Sequence, residues 1–298
     1  MLAALHIAVP PAPLLFAQLL VGLINGAFYA MLSLGLAIIF GLLNIINFTH
    51  GAQYMLGAFC AWFLLTGFGI GYWPALIVAP IAVGAVGCAI EFLLLRRIAR
   101  LDPLYGLLLT FGLALAIEGV FRQQYGSSGL PYSIPPELQG ATNLGFMFLP
   151  NYRAWVIAAS IAVCGATWVV IERTRLGATL RAAIENRELV QAFGIDVPRL
   201  VTLTYGAGAG LAAFAGVLAA PIYQVSPLMG SSIITVVFAV VVIGGMGSIL
   251  GAVVSGFALG LIEGLTKVFY PEASNTVIFM IMALVLLVKP AGLFGRVP

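Results

Sequence analysis

The sequence predicts an all-α fold, a polytopic transmembrane helical bundle of about eight to nine spans with room for broken or re-entrant helices. Three observations predict it. Of 298 residues, 62% are hydrophobic and 8% are charged, against roughly 25% charged in an ordinary soluble domain. The apolar residues gather in long runs separated by short polar breaks. Lys and Arg fall at the ends of those runs, as the positive-inside rule requires, and not in a basic stripe suited to nucleic acid. A soluble fold needs a polar exterior, which this composition cannot supply. Lipid removes that need, and residues 1–298 read as one transmembrane domain.

The first run, Leu14 to Phe40, is long enough to span and follows a terminus without the positive region or obvious cleavage site of a signal peptide. Apolar stretches follow at 51–66, 73–95, 104–121, 154–171, 201–220, 228–246, 249–269 and 275–288. Each must be a helix or half-helix, because backbone polar groups in hydrocarbon have to be satisfied within the segment or by neighbouring protein. Glycine is abundant, with 35 residues, and Gly206, Gly210 and Gly216 illustrate a small face on one span. Cys60, Cys88 and Cys164 lie inside apolar runs without metal-ligand spacing and read as packing residues.

Orientation follows from the connections. Arg96, Arg97 and Arg100 close the third stretch, Arg173, Arg175, Arg181, Arg187 and Arg199 follow the fifth, and Lys289 with Arg296 follows the last. Even numbers of crossings separate these segments, so one side holds all three, and that side is expected to be the cytoplasm. The C-terminus is then cytoplasmic and, with nine crossings, the N-terminus periplasmic. Segment 122–153 carries several Gly and Pro residues and reads as an ordered external loop with room for a short helix. There is no GxxxxGK[ST] phosphate loop, so any nucleotide must be bound by another chain.

Three segments could carry function. GLLNIINFTHG, 41–51, crowds Asn44, Asn47, Thr49 and His50 between apolar runs. Such a cluster cannot face lipid cheaply, so it lies at an interface, inside protein or beside a water-filled path. Together with Asn25, these residues are the translocation-pathway candidates; a polar turn or interhelical hydrogen-bond knot is the alternative. The second segment, 172–200, places Leu176, Leu180, Ala183, Ile184, Val190 and Phe193 at roughly helical spacing, with Arg181, Glu185, Arg187 and Glu188 between them. Gly194 stops that helix and Pro198 should delay the next. An amphipathic helix of this kind suits a groove in a soluble partner, or the membrane surface; its mixed charge favours a protein. The third segment, 243–260, holds six glycines and reads as close packing, with a gating kink as the alternative.

Intramembrane acids point to ion pathways by default. Glu118 precedes Arg122 by four and Glu263 precedes Lys267 by four, the favourable order for an intrahelical pair, and Glu91 lies one turn before Arg96. Neutralisation near helix ends therefore accounts for all three and counts against a proton-coupled carrier. A stand-alone carrier or channel remains the alternative class. No buried Ser/His/Asp set, HExxH or carboxylate cluster supports a membrane enzyme.

Segments 22–60 and 172–220 together resemble the permease subunits of branched-chain amino acid ABC importers, the LivH type. The resemblance is carried by NGAFYAMLSLGLAIIFGLLNIINFTHG, RLGATLRAAIENRELVQAFGID, GAGAGLAAFAGVLAAPIY and VVIGGMGSILGAVVSG, in that order along nearly the whole chain. The family's usual NFAHG reads NFTHG here, and Ala52 and Gln53 stand where an acidic residue commonly follows the glycine. The resemblance implies a bacterial inner-membrane channel for branched-chain amino acids or a related small polar or acidic solute; relatives also carry urea, short amides or aromatic acids. It further implies a second, LivM-like permease, two cytoplasmic ATPases that bind the ATP and Mg, and a periplasmic substrate-binding protein, with no cofactor in this chain. In that scheme 172–200 carries the coupling helix, and Leu176, Leu180, Arg181, Ala183, Ile184, Glu185, Arg187, Phe193 and Gly194 are the expected contact.

Overall fold

A computed structural model describes residues 11–43, 45–99, 101–145 and 147–295. The chain is helical almost throughout. Helix α1 runs Ala12–Leu43, α2 Thr49–Phe68 and α3 Tyr72–Ile90, which continues through a π turn, Glu91–Leu95, into the short α4, Arg96–Ile98. Then come α5 Pro103–Tyr125, α6 Asn151–Arg173, α7 Arg175–Glu185, α8 Arg187–Ala192, α9 Val197–Tyr223, α10 Met229–Gly244, α11 Ile249–Phe269 and α12 Val277–Val288. Seven of the described helices are long and apolar enough to cross a bilayer, counting α3 and α4 as one. The remaining apolar helices, α10 and α12, have 16 and 12 residues, about 24 and 18 Å at 1.5 Å per residue. This is the expected helical membrane bundle.

Helix boundaries follow local chemistry. Asp102 accepts from Leu104 N and Pro103 opens α5, while Asp196 accepts from Arg199 N and Pro198 sits in the first turn of α9. Pro198 therefore starts a helix, where a delay was expected, because its missing N–H is one that the first turn leaves unpaired anyway. Gly69 and Gly194, at φ +66° and +82°, close α2 and the α8 turn in the left-handed conformation.

Apolar surface does not drive helices together in lipid, so close approach must. Glycine supplies it along two seams. Gly22 and Gly26 of α1 meet Gly260 and Gly264 of α11, and a Cβ on Gly260 would lie 2.3 Å from Gly26 N. Helix α9 lies against α2 and α3: a Cβ on Gly57 would lie 2.2 Å from the Ala213 carbonyl oxygen, and one on Gly216 2.0 Å from that of Tyr54. The 243–260 glycines divide the two roles expected of them. Gly244, Gly251, Gly256 and Gly260 permit contact between helix backbones, and Gly245 and Gly247 take positive φ in the α10–α11 turn.

The basic segments gather at one end. Arg96 bonds the Pro198 carbonyl at the start of α9, and α7 touches α1. Leu293 N donates to the Ile243 carbonyl, bringing the chain after α12 under α10. At the other end the loop between α5 and α6 takes up regular local structure in its described residues. It has a 3₁₀ turn, Pro136–Leu138, and an antiparallel pair, β1 Ala141–Asn143 with β2 Phe148–Pro150. It is shorter than 122–153, since α5 and α6 take up its outer residues. Reciprocal hydrogen bonds between Leu130 and Val225 tie it to the α9–α10 link.

Candidate functional site

Four groups of residues could serve transport, beginning with the start of α2. His50 is fully buried, and its Nε2–H donates to the Leu32 carbonyl at 3.0 Å. Leu32 lies 11 residues before the end of α1, about 16 Å of helix rise. Helix α2 therefore begins well inside the bundle, and the chain from α1 climbs into the membrane without helical bonds. Protein must satisfy that bare backbone, and α5 does so. Thr110 Oγ1 donates to the Ile46 carbonyl at 3.0 Å and accepts from Phe48 N at 3.3 Å. Ile45 fills the notch left by Gly106.

Side chains around this start form a directed chain of hydrogen bonds. Gln53 Nε2 donates to Tyr205 Oη at 3.3 Å, Tyr205 to Thr49 Oγ1 at 2.9 Å, and Thr49 Oγ1 in turn to Asn47 Oδ1. Asn47 Oδ1 also accepts from Thr49 N at 3.1 Å. Direction is fixed because the single Thr49 hydroxyl proton is committed to Asn47. Asn47, Thr49, His50 and Gln53 are each at most 1% exposed. In this conformation they form an internal knot and not the wall of an open channel. Among the described residues Asn47 Nδ2 remains without a hydrogen-bond partner, so the knot has capacity to rearrange. Asn44 lies outside the described residues.

Asn25 belongs to a second cluster. Its Nδ2 donates to Glu263 Oε1 at 3.2 Å, Tyr29 donates to Glu263 Oε2 at 2.7 Å, and Lys267 Nζ lies 2.5 Å from Glu263 Oε1. Tyr223, the last residue of α9, donates to Asn25 Oδ1 at 2.8 Å. The Glu263–Lys267 pair was legible from its spacing; Tyr29 and Tyr223 were not, because nothing in sequence links them to α11.

Beside α2 and α10, α5 forms the third feature, a cleft with about 60 Å³ of free volume lined by Phe48, Met55, Phe111, Glu118, Ser231 and Ile234 among others. The expected Glu118–Arg122 pair does not form: among the described residues Glu118 makes no ion pair or hydrogen bond. Glu118 lines the cleft, whereas Arg122 is exposed in the last turn of α5. Spacing of four permits a pair but does not compel one.

The coupling candidates fall on two helices where one was expected. Asn186 breaks the run and caps α8 by accepting from Leu189 N. Leu180 and Ala183 are buried, the latter packing with Val190, Val197 and Val201. Leu176, Ile184, Leu189 and Phe193 are exposed, Phe193 at 78%. Arg181 donates to the Ile171 carbonyl at 2.9 Å and lies 3.3 Å from Glu172, so it fastens α7 to α6. A Cβ on Gly177 would lie 1.6 Å from that same carbonyl, which explains the glycine. Glu185, Arg187 and Gly194 are exposed. The elbow is thus a rigid two-helix platform with an apolar outer surface.

A helical membrane bundle with a buried polar knot, paired intramembrane charges and an exposed amphipathic elbow suits a transport permease. The match to the family described as the branched-chain amino acid transport system permease component covers residues 18–287, and the chain belongs to that family. It is the membrane subunit of an ATP-binding-cassette importer and not an enzyme. The chain is 29% identical to the high-affinity branched-chain amino acid transport system permease protein LivH of Escherichia coli K12, over 94% of this chain and 95% of that protein. It is 30% identical to BraD of Pseudomonas aeruginosa over the same shares. LivM of Escherichia coli K12 is 27% identical, over 89% of this chain and 67% of LivM. No solved structure matches the chain.

Proposed function

We propose that this subunit forms one half of a channel for branched-chain amino acids or closely related small solutes, paired with a LivM-like permease. Two ATPase subunits carry the ATP and Mg, and a periplasmic protein delivers the solute. The observation that carries the reading is the elbow: Leu176, Ile184, Leu189 and Phe193 form an exposed apolar surface on helices that α6 and α9 hold firmly. An apolar helix surface flanked by Arg187 and Glu188 suits a groove in a soluble partner. It lies at the arginine-rich end of the bundle, and the positive-inside rule favours the cytoplasm for that end; in this reading the C-terminus is cytoplasmic and the N-terminus periplasmic in an inner-membrane protein.

Closure of the ATPases would push on α7 and α8. Load passes to α9 through the buried Val190 and Val197 contacts, and from α9 to the α2 knot through Tyr205. The test is to purify the chain with its genetic neighbours and measure leucine uptake into proteoliposomes with and without ATP. ATP-dependent uptake that requires the binding protein is expected. Uptake by the isolated chain under an ion gradient would show a stand-alone carrier instead.

A further inference from the structure

Glu118 is the acid in a described span that no cation answers. Glu91 has Arg96 at 3.4 Å and Glu263 has Lys267 at 2.5 Å, but Glu118 is half-buried in α5 without a described partner. A carboxyl group at membrane depth is costly, and such groups face a protein interior or a solute path. Helix α5 is also loosely held, with Gly106 and Thr110 as its buried residues. The cleft beside Glu118 is apolar, walled by Phe111, Met55 and Ile234. Its free volume of about 60 Å³ holds one or two water-sized groups, enough for a charged head but not a whole amino acid.

From this we propose that Glu118 is a solute-binding residue that pairs with the ammonium group of a zwitterionic amino acid as it passes between the permease halves, its aliphatic part lying along the apolar wall. The assignment rests on the amino-acid reading given above. It makes the carboxyl of Glu118 the selector for solutes with a free ammonium over their deaminated counterparts.

The test uses the complete complex in proteoliposomes with binding protein, with leucine as the probe. Glu118→Gln is expected to lower leucine uptake about tenfold, while binding-protein-stimulated ATP hydrolysis and recovery of the assembled complex stay near wild type. Glu118→Asp keeps the charge and should retain a substantial fraction of uptake. An apolar carbodiimide should label Glu118, with leucine plus binding protein slowing that labelling. Unchanged uptake by Glu118→Gln, or labelling indifferent to leucine, overturns the proposal. Loss of assembly in Glu118→Gln also overturns it, by assigning the residue to a charge on the facing permease. If the wild-type complex carries no leucine at all, the amino-acid reading falls and takes this one with it.

Discussion

Glu91 and Arg96 are five residues apart and meet at 3.4 Å because the turn between them is a π turn. In a regular α-helix, residues five apart point in different directions; the wider turn returns them to one side. Arg96 then reaches the Pro198 carbonyl at 2.9 Å, and the Thr202 hydroxyl donates to Glu91. The result ties the arginine-bearing end of α3 to the first turns of α9, directly beside the elbow. Arg96→Met should therefore destabilise the purified complex by about 2 kcal/mol, less than for a fully buried pair because Arg96 is one-third exposed. An unchanged unfolding temperature would show that the pair contributes nothing.

Helix approach gives a sharper contrast. Gly57→Val and Gly216→Val place carbon against the carbonyl oxygens of Ala213 and Tyr54, in backbone that cannot yield. Both should abolish recovery of folded protein. Gly67→Ala meets no atom within 4 Å and should be silent. Fluorescence-detected size exclusion of the three variants decides it.

Tyr205→Phe removes the central member of the buried relay and leaves Gln53 Nε2 without its acceptor. The expected cost is about 1–3 kcal/mol. Thr49→Ala should recover part of it, because it removes the hydroxyl oxygen that Tyr205→Phe leaves without a donor. Additive losses in the double variant, measured by thermal unfolding, would refute the relay.

On the elbow, Leu180→Asp and Ile184→Asp should fail in different ways. Leu180 is 4% exposed and Ile184 54%. The buried carboxylate should unfold or destabilise the chain, whereas Ile184→Asp and Phe193→Asp should leave it folded and break the link between ATP hydrolysis and uptake. Stability and coupling are measured on the same preparations; normal coupling in both exposed variants would move the ATPase contact elsewhere.

Much of the fold was legible because its cause is compositional: long apolar runs have few options in lipid, and glycine runs mark where helices touch. The pairs Glu91–Arg96 and Glu263–Lys267 were legible because each closes within one helix or turn. Partners drawn from distant segments were not. Nothing in the spacing of Tyr205, Tyr29 or Tyr223 tells which hydroxyl meets Thr49, Glu263 or Asn25. Helical periodicity placed Leu180 and Ile184 together in the elbow without telling which would be covered, since that depends on how α6 and α9 close over it. The Glu118–Arg122 expectation failed for the opposite reason: the local rule was met, but the helix turns its acid to the cleft.

The interlocked glycines of α1 and α11 limit which parts can slide. With Gly22 and Gly26 pressed on Gly260 and Gly264 at backbone distance, an axial shift of even one residue would drive side chains into peptide groups. These two helices must travel as a single strut during any alternation of access. If the elbow takes the stroke as proposed, that movement would have to be absorbed elsewhere, at the unwound entry to α2 beside the Glu118 cleft.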